Sequence, residues 1–207
     1  MRRGLRRAGV VIAVGALAVG ASADGTQLPA NVVDALSSID HATPIQDLDT
    51  LGSGSSAPAA AAANQIAQVA ADPNVDVGVA LRSIHALSQY PQAVIGTTLA
   101  HDTLSALVAS YAAASDPISI LMLRASIESL GLLRVAGDAD VLDCSSGTLT
   151  SCPLDHPSRD VRATTARALL DIGNPSAIPA LRVRLGQETV PQVKLALSAA
   201  LAALGGG

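Results

Sequence analysis

The chain has 207 residues, of which 49% are hydrophobic and 14% charged, and it contains no phenylalanine, no tryptophan and two tyrosines. Nucleic-acid binding needs a concentrated basic surface, and single-strand binding also needs aromatic rings on which bases stack. With 13 basic residues, 17 acidic residues and so few aromatic rings, the chain is not expected to bind nucleic acid.

Residues 1–23 have the pattern of a signal peptide. Four arginines lie within the first seven residues, GVVIAVGALAVGA forms an apolar centre, and Ala21-Ser22-Ala23 offers small residues for cleavage. An uncleaved anchor is the alternative, but the apolar run is shorter than the roughly 20 residues that span a bilayer. We therefore expect an exported chain, in the periplasm, cell envelope or medium, with no membrane span and a net charge of −8 after cleavage.

Residues 24–58 are predicted to be a flexible linker with short helices. The segments PANVVDALSSID and TPIQDLDTL each allow only a few helical turns, and GSGSSAP follows them. Runs of glycine, serine and proline bury too little apolar surface to offset the entropy lost on ordering.

Residues 59–207 are predicted to form a domain of helical hairpins. Asp72-Pro73, Asp116-Pro117 and His156-Pro157 follow one another at intervals of 44 and 40 residues, and proline favours the first turn of the next helix. Apolar residues at helical spacing follow each break. They are Leu81, Ile84 and Leu87 in the first run, Leu123, Ile127 and Leu130 in the second, and Val161, Ala168, Leu169 and Ile172 in the third.

A fourth run matches the third. VKLALSAALAALG aligns with VRATTARALLDIG 32 residues earlier, placing Val193 on Val161 and Leu201 on Leu169. This pattern resembles the short bacterial HEAT-like repeats of the phycobilisome-lyase type, in which a valine-arginine pair opens the first helix and a glycine ends it. The resemblance implies an all-α fold, an α-α superhelix of stacked hairpins that presents surfaces to other proteins.

The repeat pattern stops between residues 134 and 156. RVAGDADVLDCSSGTLTSCPLDH stands where a second helix is expected, so we predict an irregular insertion there. Cys144 and Cys152 enclose seven residues of it. Export favours a structural disulfide between them, which would hold the insertion rigid; a redox pair and free thiols are the alternatives.

Three arginines next to the insertion, Arg159, Arg162 and Arg167, are candidate contacts for a partner protein. In HEAT-like repeats the arginine after the valine often pairs with an acid of a neighbouring hairpin, so a structural role is the alternative for Arg162. We predict an exported, non-catalytic scaffold that binds an unidentified protein and needs no metal or cofactor.

Enzymes built from such repeats are the competing class. Deoxyhypusine hydroxylases bind two irons through histidine-glutamate pairs, and phycobilisome lyases attach a bilin to a partner; this chain has no histidine-glutamate pair. A metal-dependent or lyase-type enzyme, or a subunit of one, would use Asp155, His156 and nearby acids. Neighbouring helical residues point about 100° apart, however, and cannot chelate one ion together.

Overall fold

The computed structural model describes residues 30–37, 45–149 and 151–206; the predicted signal peptide, residues 1–23, lies outside this range. The described residues form helices and turns and contain no β-strand, as the all-α prediction requires. The α-helices are α1 (Ala30–Leu36), α2 (Ile45–Asp49), α3 (Pro58–Ala71), α4 (Val77–Leu87), α5 (Gln92–Ile95), α6 (Leu99–Tyr111), α7 (Pro117–Leu133), α8 (Asp138–Leu142), α9 (Arg159–Ile172), α10 (Ile178–Gln187) and α11 (Pro191–Ala203), with 3₁₀ turns at Thr50–Gly52, Pro153–Asp155 and Pro175–Ala177.

Local sequence signals explain where the long helices begin and end. Helix α7 begins at Pro117, and the Asp116 side chain caps it by accepting a hydrogen bond from the backbone N–H of Ser119 at 2.9 Å. Proline fits this first turn because its fixed φ is helical and its missing N–H has no partner there. Helix α9 ends at Ile172 and is capped by Gly173, whose φ of 75° lies in the left-handed region that glycine adopts without strain.

Helices α4, α7, α9 and α11 pack each on the next, while α6 lies against α7 and α10 against α11. The predicted apolar positions of α7, Leu123, Ile127 and Leu130, are fully buried. The close approach of α7 to α9 depends on Gly131: a Cβ at that position would lie 2.8 Å from both Cα and Cβ of Ala168. Helix α9 is thus enclosed between α7 and α11.

The described parts of the predicted linker pack on the helical domain. Val32, Leu36 and Leu48 have 0%, 2% and 0% of their surface exposed. The Arg82 guanidinium of α4 donates a hydrogen bond to the Leu36 carbonyl, and the Tyr90 hydroxyl donates one to Asp49 at 3.0 Å. Helices α1 and α2 therefore cover the α3–α4 end of the domain.

Candidate functional site

A disulfide joins Cys144 to Cys152, with their Cα atoms 5.6 Å apart. We call residues 144–152 the disulfide loop, residues 134–143 its N-terminal stem and residues 153–158 its C-terminal stem. Residues 145–148 of the loop are exposed, whereas Leu149 is partly buried and packs on the core. Residues 145–148 therefore form an exposed polar tip, and the Leu149 side chain anchors the loop to the core.

Hydrogen bonds fix the backbone at the start of the disulfide loop. The N–H of Ser146 donates to the Asp140 carbonyl, and the N–H of Ser145 donates to the Asp143 carboxylate, both at 2.9 Å. Cys144 adopts a φ of 67°, which is uncommon for a residue other than glycine. The chain is held in this tight turn by the covalent bond and by the hydrogen bonds around it.

The N-terminal stem is attached to α6 through a buried carboxylate. The His101 ring lies between two aspartates, with Nε2 2.8 Å from Asp138 Oδ1 and Nδ1 3.0 Å from Asp102 Oδ1. Asp138 is the first residue of α8 and is 3% exposed. Because removing a carboxylate from water is costly without a partner, His101 stabilises α8 in this position.

The three groups of this cluster shift one another's pKa values. Burial raises the pKa of Asp138, against the opposing effect of its hydrogen bond with His101. Burial alone would lower the pKa of His101, but hydrogen bonds to Asp102 and Asp138 and their negative charges outweigh it and raise that pKa. The imidazolium form, which donates to both carboxylates, is thereby favoured.

Two hydrogen bonds, each donated by an uncharged side chain, attach the same stem to the turn after α9. The Asn174 side-chain amide donates to the Ala136 carbonyl at 2.9 Å, and the Ser176 hydroxyl donates to the Asp140 carboxylate at 3.0 Å. The N-terminal stem is therefore anchored to two separate elements.

The C-terminal stem is anchored by burial and by a histidine. Pro153 and Leu154 are buried, and His156 is 2% exposed. The N–H of Ser158 donates to His156 Nδ1 at 3.0 Å, so Nε2 carries the proton and donates to the Ala114 carbonyl at 2.9 Å. His156 thus connects the start of α9 to the turn between α6 and α7.

Arg162 lies beneath this stem and is 7% exposed. Its Nε and Nη2 donate to the two carboxylate oxygens of Glu188 at 2.7 and 3.0 Å. Its Nη1 donates to the carbonyls of His156 and Pro157, both at 2.8 Å. A bidentate arginine with all these donors satisfied is held rigidly, so Arg162 supports the stem from inside the protein.

Glu188 accepts more hydrogen bonds than Arg162 alone supplies. The backbone N–H groups of Thr189 and Val190 donate to its Oε1 at 3.0 and 2.9 Å, and Arg184 Nη2 donates to its Oε2 at 2.9 Å. The hydrogen bond from Arg162 is the largest of the effects that, despite burial, hold the pKa of Glu188 well below its usual range. Arg184 also reaches Asp155 at 3.2 Å, which connects the C-terminal stem to α10.

The other two predicted contact residues lie at the surface. Arg159 is the first residue of α9, and its exposed Nε is 3.6 Å from Asp160. Arg167 is on the exposed side of the same helix. Both side chains are accessible to a partner, whereas Arg162 is not.

Asp155 and His156 do not form a metal site as a pair. Both His156 ring nitrogens are occupied by backbone groups, and Asp155 faces Arg184. Across the described ranges, no group of three or more histidine, cysteine, aspartate or glutamate side chains is arranged to hold a metal ion.

A shallow cleft of about 290 Å³ adjoins the C-terminal stem. Its walls include Ala114, Ile120, Ser151, His156 and Ser158, none of which is an acid, a lysine or an arginine. The cleft separates the disulfide loop from the turn between α6 and α7.

Asp138 and Glu188 are site residues that the sequence does not single out, and the contact between His101 and Asp138 is not predictable from it. His101 is separated from Asp138 by 37 positions and Arg162 from Glu188 by 26. Neither Asp138 nor Glu188 stands in a distinctive local sequence pattern. The expectation that Arg162 pairs with an acid of a neighbouring hairpin pointed to an acid such as Glu188, but not to its position.

No protein-family model matches this chain, and no curated protein matches it significantly. Among the helices of the described residues, none combines the length and apolar character needed to cross a membrane.

Proposed function

We propose that this protein is an exported, non-catalytic scaffold of HEAT-like helical hairpins that binds another protein through the disulfide loop and the exposed arginines beside it. The assignment to HEAT-like repeats, and to a superhelix of them, rests on the sequence register between residues 161–173 and 193–205.

The observation that carries the binding proposal is a polar tip held at both ends. Residues 145–148 are exposed, while the stems are attached to α6, to the turn after α9, to α10 and to the turn between α6 and α7. A segment that is already ordered loses little conformational entropy on binding, so preorganisation raises affinity without added contacts. Arg159, the first residue of α9, and Arg167, eight residues further along it, are exposed positive charges on the helix that follows the C-terminal stem.

The disulfide supports export as well as binding. Disulfides persist in oxidising compartments such as the periplasm and the extracellular space, and they are rare in the cytosol. Together with the signal-peptide pattern of residues 1–23, the Cys144–Cys152 bond favours a location outside the cytoplasm.

The test is to replace both Cys144 and Cys152 by serine and to measure partner capture from an envelope fraction. We expect helical content to be nearly unchanged, since the disulfide loop lies outside the long helices. The free energy of unfolding should fall by about 2–3 kcal/mol for so short a loop. Partner affinity should fall because the tip becomes mobile.

Two point variants provide a matched control with the disulfide intact. Thr148→Arg changes the exposed tip and should weaken capture, whereas Asn64→Arg makes a similar change on the exposed side of α3 and should not. Undiminished capture by both the double-serine variant and Thr148→Arg would rule out the disulfide loop as the contact surface.

A further inference from the structure

The His101 side chain of α6 lies between two aspartates that differ in their exposure to water. Its Nε2 is 2.8 Å from Asp138 Oδ1, and its Nδ1 is 3.0 Å from Asp102 Oδ1. The Asp138 side chain is 4% exposed, whereas that of Asp102 is 64% exposed. The His101 side chain is 28% exposed, so its ring exchanges protons with the solvent. A titratable group in contact with water is therefore the partner of a buried carboxylate.

Asp138 depends on His101 to offset its charge. Its Oδ2 is buried and has no hydrogen-bond partner among the described residues. Helix α8 packs on α7, on α9 and on the 3₁₀ turn Pro175–Ala177, which carries no charged side chain. Within the described ranges, no charged residue of α7 or α9 forms an ion pair or a hydrogen bond with Asp138; these residues are Arg124, Glu128, Arg159, Asp160, Arg162, Arg167 and Asp171. The other acid of α8, Asp140, accepts a hydrogen bond from Ser176.

The helices around His101 supply no other partner for its ring. Helix α6 packs on α3, α4, α5 and α7, and α3 and α5 contain no titratable residue. Within the part of the chain that the structure describes, no charged residue of α4 or α7 forms an ion pair or a hydrogen bond with His101; these residues are Arg82, His85, Arg124 and Glu128. Asp102 and Asp138 are therefore the acids that face this ring.

The proton count of the His101 ring decides how many carboxylates it serves. An imidazolium ion donates from both ring nitrogens, whereas a neutral imidazole donates from one and presents a lone pair at the other. After deprotonation, one of the two aspartates faces a lone pair, and the positive charge that offsets Asp138 is gone. A buried carboxylate without a counter-charge is unfavourable, so a conformation in which Asp138 reaches water gains relative stability.

We propose that His101 and Asp138 form a pH-sensitive latch, which holds the N-terminal stem against α6 while the imidazole is protonated and loosens the stem when the proton leaves. The hydrogen bonds from Asn174 and Ser176 remain, so the start of α8 moves while the rest of the stem stays attached. The latch thereby sets how rigidly the disulfide loop is held on this side. As regulation of partner binding it rests on the proposed function, whereas its opening is a property of the protein alone.

The pKa shifts at the latch favour the closed stem at lower pH. Burial lowers the pKa of His101, but the hydrogen bonds and charges of its two aspartates outweigh burial and raise it. The stabilisation is therefore complete below the ordinary histidine pKa of about 6.5 and is lost as the pH rises through the raised value. Burial raises the pKa of Asp138, which acts in the same direction. Burial would raise the pKa of Asp102, but hydrogen bonds from His101 and Thr98 lower it, and this shift affects stability in the acid range.

Amide hydrogen exchange of the purified protein between about pH 6 and pH 9, corrected for the intrinsic pH dependence of exchange, measures the latch. The reporters are the N–H groups of Asp143 and Ser146, which donate to carbonyls of α8. Their protection should fall as the pH rises through the pKa of His101. The expected fall is about tenfold for each pH unit by which the pKa of His101 in the closed stem exceeds that in the open stem. Amides within α3 should keep their protection.

Three variants separate the latch from a general effect of pH. His101→Gln should remove the pH dependence at both reporters. His85→Gln is the matched control, because the His85 side chain is 53% exposed and belongs to α4, and it should retain the full response. Asp138→Asn removes the buried charge, so the reporters should stay protected at the higher pH, and the pKa of His101 should fall in an NMR titration of its ring.

Protection of the reporters that does not change with pH in the wild-type protein would overturn the proposal, and so would a pH response that persists in His101→Gln. If a variant does not fold, the NMR titration of the wild-type ring decides, and a His101 pKa at or below about 6.5 would rule out the latch. Because no partner is present in these measurements, failure of the latch leaves the proposed binding function to its own test.

Discussion

Glu188 holds together the charged groups beneath the C-terminal stem. It accepts hydrogen bonds from Arg162, Arg184 and the backbone of the residues that follow it, and it is 2% exposed. Removing one partner of a buried ion pair leaves an uncompensated charge, which is far more destabilising than losing an exposed pair.

Replacing Glu188 by glutamine should lower the free energy of unfolding at pH 7 by about 3–5 kcal/mol, because Arg162 would remain buried without a counter-charge. The folded-state pKa of Glu188 is depressed, so its stabilisation is present above the unfolded-state pKa and is lost as the pH falls. The difference between wild type and variant should shrink by about 1 kcal/mol between pH 7 and pH 3.5.

Urea denaturation at the two pH values measures this difference. Glu128→Gln, at a carboxylate whose side chain is 61% exposed, is the control and should change stability by no more than about 0.5 kcal/mol. An equal loss for Glu188→Gln at both pH values would show that the charge of Glu188 is not what stabilises the stem.

Whether the sequence predicts a contact in the site depends on how far apart the two residues lie along the chain. Cys144 and Cys152 lie eight positions apart, and residues 1–23 have the pattern of a signal peptide, so their pairing was predictable from the sequence. The acid that pairs with Arg162 lies 26 residues further along the chain, and only the fold, which brings the end of α10 beside Arg162, identifies it as Glu188. Asp138 was missed because an aspartate in a glycine-rich segment is normally solvated, and its burial requires His101 from a distant helix.

At the scale of single elements, Gly131 determines how closely α7 approaches α9. Glycine inside a helix normally costs about 1 kcal/mol relative to alanine, so glycine-to-alanine changes usually stabilise. The added methyl group of Gly131→Ala, however, would lie 2.8 Å from the Cα of Ala168, and backbone cannot move aside cheaply.

Gly131→Ala should therefore lower the free energy of unfolding by about 1–3 kcal/mol. Gly186→Ala is the matched control within α10, because a Cβ there meets nothing within 4 Å. It should stabilise the protein by about 0.5–1 kcal/mol. Thermal unfolding of both variants measures the contrast, and a stabilised Gly131→Ala would contradict the tight α7–α9 contact.

Helix boundaries and buried stripes were predictable because their causes are local. Proline and aspartate mark the start of α7, and apolar spacing identifies Leu123 and Ile127 as core. The packing of α1 and α2 was not predictable in the same way. Composition around residues 53–57 favours disorder, whereas the burial of Val32 and Leu48 depends on the surface that α3 and α4 offer to them.

At the scale of the whole molecule, α9 joins the helices that precede it to those that follow it, since it packs on both α7 and α11. Leu169 is fully buried in it. Leu169→Ala should cost about 2–5 kcal/mol, and amide hydrogen exchange should accelerate in α11 as well as in α9, because stacked helices share their interfaces.

Val183→Ala, at a position 62% exposed on α10, is the control and should leave both stability and exchange nearly unchanged. Faster exchange confined to α9 after Leu169→Ala would show that α11 folds independently of its neighbour.

The scaffold proposal depends on where a partner touches the molecule, and site-specific photo-cross-linking in intact cells measures this directly. A photoreactive residue at Thr148, on the exposed tip of the disulfide loop, should give one specific cross-linked envelope protein that disappears when Cys144 and Cys152 are replaced by serine. The same residue at Val183 of α10 should give none. Cross-links at Val183 and none at Thr148 would contradict partner binding through the disulfide loop and would assign it to the α10 surface.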